Sequence, residues 1–144
     1  MAFSIDPRIA SSCVHLCDWS LSSVFLKNNA HYPWLILVPR HENLQAMDQL
    51  PKLLQHQLMD EISALSTVVR AHFKPDSLNV GALGNIVPQL HIHVVARFSH
   101  DALWPHSVWQ AAQISTPYTE NAMTELTTRL RQAFSQVNYL FAPS

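Results

Sequence analysis

From Gln89 to Arg97 the chain reads Gln-Leu-His-Ile-His-Val-Val-Ala-Arg, and its first six residues alternate strictly between polar and apolar. Successive side chains of a strand point to opposite faces, so Leu90, Ile92, Val94 and Ala96 form an apolar row while Gln89, His91 and His93 share the other face. Such a run fits a sheet with one face against a core and two imidazoles held on the opposite face. Both of the chain's 2 glycines, Gly81 and Gly84, stand just upstream, in Asn-Val-Gly-Ala-Leu-Gly-Asn at 79–85. Glycine permits positive φ and close approach of a ligand to the backbone, so a glycine turn feeding a histidine pair points to a binding or catalytic site. A structural pair making only local hydrogen bonds is the plainer alternative. Zinc is another, because alternate strand positions can both ligate it, but three or four protein ligands are usual and the sequence names no third.

The rest of the chain reads as α+β rather than as alternating βα units. Val14 to Trp19, Leu21 to Lys27 and the apolar run Trp34 to Val38 are expected strands, with Asn28-Asn29-Ala30-His31 as the turn before the last of them. A long helix is expected from about Pro51 through Leu53, Leu54, Leu58, Ile62, Leu65, Val68 and Val69, ended by Lys74-Pro75-Asp76. Residues 77 to 83 form a further expected strand, paired antiparallel with the histidine strand. A C-terminal helix from about Thr119 carries Met123, Leu126, Leu130 and Phe134. Cys13 and Cys17, if on one strand, share a face about 13 Å apart, too far for a disulfide, and read as half-buried thiols.

Composition narrows the partners. A chain of 144 residues with 48% hydrophobic residues is enough for one core, so residues 1 to 144 are expected to form a single domain. A net charge of −1 with 13% charged residues lacks the basic excess of a nucleic-acid-binding surface. No apolar run approaches the roughly 20 residues of a membrane span, and the N-terminus carries no secretory pattern, so no membrane partner and a cytoplasmic location are expected.

Gly84-Asn85-Ile86-Val87-Pro88-Gln89-Leu90-His91-Ile92-His93-Val94-Val95 resembles the signature of the histidine triad (HIT) family of nucleotidyl hydrolases and transferases, with Gln89 at the first triad position. Leu26-Lys27-Asn28-Asn29 and Pro33 to Arg40 are similar to that family's nucleotide-side strands. Trp104-Pro105 with Val108-Trp109 is similar to a pattern that follows the triad in a bacterial branch. The resemblance implies a HIT-like antiparallel sheet of about five strands, a long helix across one face, a C-terminal helix, and pairing as a homodimer.

It also implies roles. His91, at the middle position, would attack the α-phosphorus of a nucleotide and carry it covalently; an ordinary imidazole titrates near about 6.5 and is a competent nucleophile at neutral pH. His93, at the third position, would bind phosphate oxygens and, as the cation, offset developing charge. Gln89 and Asn85 are further phosphate candidates. Asn28 matches a residue near the ribose, and Asn79 an amide near the phosphates or leaving group; each asparagine also reads as an ordinary turn residue. No metal and no cofactor are implied.

Three positions depart from the family pattern: Gln89 replaces a histidine, Trp34 stands where many members carry another, and Ile86 where a serine or threonine is common. Gln89 can donate and accept hydrogen bonds but cannot carry a proton at neutral pH. Trp34, Trp104 and Trp109 read either as packing residues or as walls of the substrate cleft. The expected activity is that of a nucleotide phosphohydrolase or phosphoramidase releasing a nucleoside monophosphate from a small leaving group. The alternatives are a catalytically weak nucleotide-binding protein and, more remotely, a zinc-dependent hydrolase.

Overall fold

The computed structural model describes residues 3–111 and 115–137. Its elements run α1 (Pro7–Ser12), β1 (Cys13–Asp18), β2 (Ser22–Lys27), β3 (Trp34–Pro39), a short 3-10 turn (Met47–Gln49), α2 (Lys52–Phe73), β4 (Ser77–Gly81), β5 (Ile92–Arg97) and α3 (Glu120–Ser135). The strands pair antiparallel in the order β1-β2-β3-β5-β4. This is the expected α+β arrangement of five strands with a long helix and a C-terminal helix.

Each face of the sheet is covered by different elements, as the side-chain alternation requires. On one face Leu26, Leu35, Leu37, Ile92, Val94 and Ala96 join Leu58, Ile62, Leu65 and Val69 of α2 and Leu126, Leu130 and Phe134 of α3 in the main core. Burying each of these side chains other than Ala96 contributes roughly 1.5–3 kcal/mol before entropy is counted. On the other face Phe25, Trp34, Ile36, Val38 and Val95 pack with Ile9 of α1 and Val108, with Ile5, Leu103 and Trp109 at the margin. The histidine pair belongs to this second face, beneath the N-terminal segment and the segment that follows β5.

Helix ends follow local chemistry. Thr119 caps α3 by accepting from the Ala122 N–H, and Lys74 closes α2 in the left-handed region at φ 52°, directly before Pro75. Asp6 caps α1 through the Arg8 N–H, with Pro7 in its first turn. That helix has 6 residues, too few for a 3.6-residue period to show in the sequence.

Two expectations are corrected. The strand expected over 77 to 83 ends at Gly81, and β5 starts at Ile92, so Gln89 and His91 lie on the approach to the ladder rather than in it. Beyond β4 the chain passes through Gly84 at φ 66°, a conformation that costs glycine little; a Cβ there would also lie 3.3 Å from the Gln45 carbonyl oxygen. Cys13 and Cys17 do not share a face either. The register of β1 against β2 shifts between His15 and Cys17, and the extra residue sends Cys13 to the second face and Cys17 to the main core. Both are free thiols, and burial pushes Cys17 up to about 12.

Candidate functional site

His91 and His93 stand together, their ring centroids 4.7 Å apart and each only 7% exposed. Two hydrogen bonds set their protons. His91 Nδ1 lies 2.7 Å from the Gln89 carbonyl oxygen, which can only accept, so Nδ1 carries the proton and Nε2 keeps its lone pair. His93 Nδ1 accepts from the Trp34 indole N–H at 2.9 Å, so the His93 proton sits on Nε2. The result is a nucleophilic nitrogen beside a hydrogen-bond donor.

The expected cationic His93 is corrected by its surroundings. Burial first, then the neighbouring His91 and Lys27 charges, pull it down to about 3, so at neutral pH it acts as an uncharged donor. Trp34 meets its ring edge-on at 5.7 Å and Trp109 at 5.8 Å, forming an aromatic slot. Trp109 can approach because Gly81 lacks a side chain: a Cβ there would stand 3.2 Å from the indole ring. The segment bearing Trp109 is anchored by the buried Arg97–Asp101 pair at 2.9 Å, and Asp101 also accepts from the N–H groups of Phe98, Leu103 and Trp104.

The other sequence candidates divide. The Gln89 amide turns to the N-terminal segment, its Oε1 accepting from the Asp6 N–H at 2.9 Å and its Nε2 donating to the Ser4 carbonyl at 2.8 Å. Arg8 continues this strap by pairing with Asp6 and donating to the Ile86 carbonyl. Asn85 is exposed in the bend after Gly84. Asn28 follows β2, and its side-chain oxygen accepts from the Tyr118 N–H at 2.9 Å. Asn79 is bound by Arg97 Nη1 through its own side-chain oxygen, also at 2.9 Å. Ile86 is 81% exposed and lines no core.

A match to the HIT domain family extends over residues 11–100, taking in both histidines, β1 to β5 and the whole of α2. The chain belongs to the HIT family. Histidine triad proteins of solved structure share its fold over nearly their full length. One from Marinobacter aquaeolei is 38% identical with a TM-score of 0.90, covering 94% of this chain and 98% of its own. One from Bradyrhizobium japonicum is 37% identical with a TM-score of 0.88, covering 92% and 98%. A third, from Sinorhizobium meliloti, is 31% identical with a TM-score of 0.87, covering 91% and 96%. A search of curated proteins gave no match.

In this HIT protein the sequence reading missed two contributors. Lys27 ends β2 one step beyond the Leu26–Leu35 pair, so its Nζ lies over the Trp34 ring, 4.7 Å from the centroid; pairing the two apolar strands across the turn would have found it. It has no carboxylate partner among the described residues, whereas Arg8, Arg40 and Arg97 each have one. The strap of Ser4, Asp6 and Arg8 left no signal, because its contacts cross about 80 residues of sequence. An apolar groove of about 490 Å³ between α2 and residues 82–83 is lined by neither histidine. The hydrogen-bonded pair, not that groove, has the groups that chemistry needs. Among the described residues no three His, Cys, Asp or Glu side chains gather as a metal site.

Proposed function

We propose that this HIT protein is a nucleotide phosphohydrolase or phosphoramidase that releases a nucleoside monophosphate through a nucleotidyl-His91 intermediate. The observation that carries this reading is the pair of hydrogen bonds at the two Nδ1 atoms, from which a free Nε2 lone pair on His91 and an Nε2–H on the neighbouring His93 follow. In the first step the His91 Nε2 lone pair forms a bond to the α-phosphorus while the bond to the leaving group breaks and that group takes up a proton from solvent. Water then attacks phosphorus and gives up a proton to solvent, the N–P bond breaks with its electron pair returning to Nε2, and the ring returns to its neutral form. His93 donates to a phosphoryl oxygen through both steps, where added negative charge strengthens the bond.

Asn85 and the backbone around Gly84 are the further phosphate contacts in this proposal. Asn28 and Asn79 keep their side-chain NH₂ groups for the nucleotide, since among the described residues only their oxygens are engaged, by Tyr118 and Arg97. Gln89, by contrast, is assigned to the strap, with both ends of its amide already engaged. A protein that binds nucleotide with little turnover is the second reading, favoured by the single observation that no histidine occupies the first triad position.

His91→Ala separates the two. Removal of the nucleophile should abolish hydrolysis of nucleoside phosphoramidates and dinucleoside polyphosphates while nucleotide affinity stays within about tenfold, or roughly 1.4 kcal/mol. Undiminished turnover in that variant would overturn the mechanism. A wild-type protein that binds nucleotide but hydrolyses none of the panel would favour the second reading.

A further inference from the structure

Trp34 occupies the first position of β3, is 3% exposed, and sits diagonally from His93 because Ile36 is that histidine's direct cross-strand partner. Its indole N–H is a donor with no acceptor capacity, and it points at His93 Nδ1 from 2.9 Å. A histidine at position 34 could donate or accept and so could follow a change of proton at His93. A tryptophan cannot. If His93 took a second proton, two N–H groups would face each other across this buried contact, and the hydrogen bond would be lost.

We propose that Trp34 is a positioning residue that locks His93 as its neutral Nε2–H tautomer, keeping one donor aimed at the bound phosphoryl group from mildly acidic pH upward. The groups around His93 favour the same state. Lys27 of β2 carries positive charge over the face of the Trp34 ring, His91 lies in the same run of chain, and the Asp6 carboxylate of the strap, which senses His91, is already paired with Arg8. From β4 the residue paired with His93 is Gly81, with no side chain to titrate, and the following segment contributes the uncharged ring of Trp109. No carboxylate among these neighbours would draw a proton onto His93.

The catalytic consequence rests on the proposed function; the tautomer does not. Long-range ¹H–¹⁵N spectra of the histidine rings, recorded from pH 4.5 to 8 on the wild-type protein and Trp34→Phe, read it directly. The wild type should show His93 in one Nε2–H form without titration across that range. Trp34→Phe keeps an aromatic ring but removes the donor, so its His93 should exchange between tautomers and titrate at least one pH unit higher. Its kcat should fall about tenfold with KM changed less than threefold, and the acid limb should move upward. A wild-type His93 that is protonated on Nδ1, or that titrates in the ordinary imidazole range, would overturn the proposal even if the variant fails to fold. An unchanged tautomer and titration in Trp34→Phe would overturn it as well. A locked tautomer in a protein with no nucleotide turnover would support the Trp34 assignment and count against the proposed function.

Discussion

A single side chain can fill a family position and serve a different end, and Gln89 does so here. Read from sequence alone, the missing histidine leaves protonation of the leaving group poorly served, and Gln89→His is expected to raise kcat for poor leaving groups by about tenfold. The hydrogen bonds reverse that expectation. A glutamine amide presents an acceptor and a donor side by side, matching the Asp6 N–H and Ser4 carbonyl of the strap, and an imidazole cannot satisfy both in that geometry. Gln89→His should therefore release residues 4–8, speed amide hydrogen exchange at Asp6, and lower kcat for good and poor leaving groups alike. A tenfold gain confined to poor leaving groups would show that the strap is dispensable and the histidine was the missing catalyst.

Among the secondary elements, the segment after β5 depends on one buried ion pair. Burial alone would raise the Asp101 carboxyl, but hydrogen bonds from Arg97 and from the Phe98 and Trp104 N–H groups outweigh it and hold the group at about 2. Asp101→Ala would leave the Arg97 guanidinium, 2% exposed, without its charge partner, at a cost of about 3–5 kcal/mol in denaturant unfolding. A loss below about 1 kcal/mol would mean that the pair does not anchor Trp109. The strands and both long helices were legible in the sequence because apolar residues recur there at periods of 2 or near 3.6, and β5 was legible through its alternation. Their ends were less so. The shift in β1 that separates Cys13 from Cys17 changes no residue type, and α1 is too short to display a period. The histidine pair was visible from spacing, whereas Trp34 at His93 and Gln89 at the strap were not. Those contacts depend on a diagonal neighbour across β3 and β5 and on a segment more than 80 residues away.

For the molecule as a whole, β4 ends the sheet and its outer edge is unpaired among the described residues, with Val80 on β4 at 47% exposure, and with Leu83, at 42%, and Met59 of α2, at 58%, lining the apolar groove. An open strand edge beside apolar surface is a place where a second copy can pair by two-fold symmetry. We propose a homodimer through this face. Light scattering at tens of micromolar should give twice the 16.3 kDa chain mass, and Met59→Glu should halve it. A wild type that remains at the chain mass would contradict the assembly. None of the helices among the described residues is long and apolar enough to cross a membrane. The covalent step is the claim on which the functional account turns, and intact-protein mass spectrometry reads it most directly. The protein is mixed with a nucleoside phosphoramidate, quenched within its first turnovers and kept out of acid. One nucleotidyl adduct per chain should appear, map to His91, disappear on acidification, and be absent from His91→Ala. Rapid hydrolysis with no adduct on any time scale sampled, or an adduct on another residue, would contradict the account.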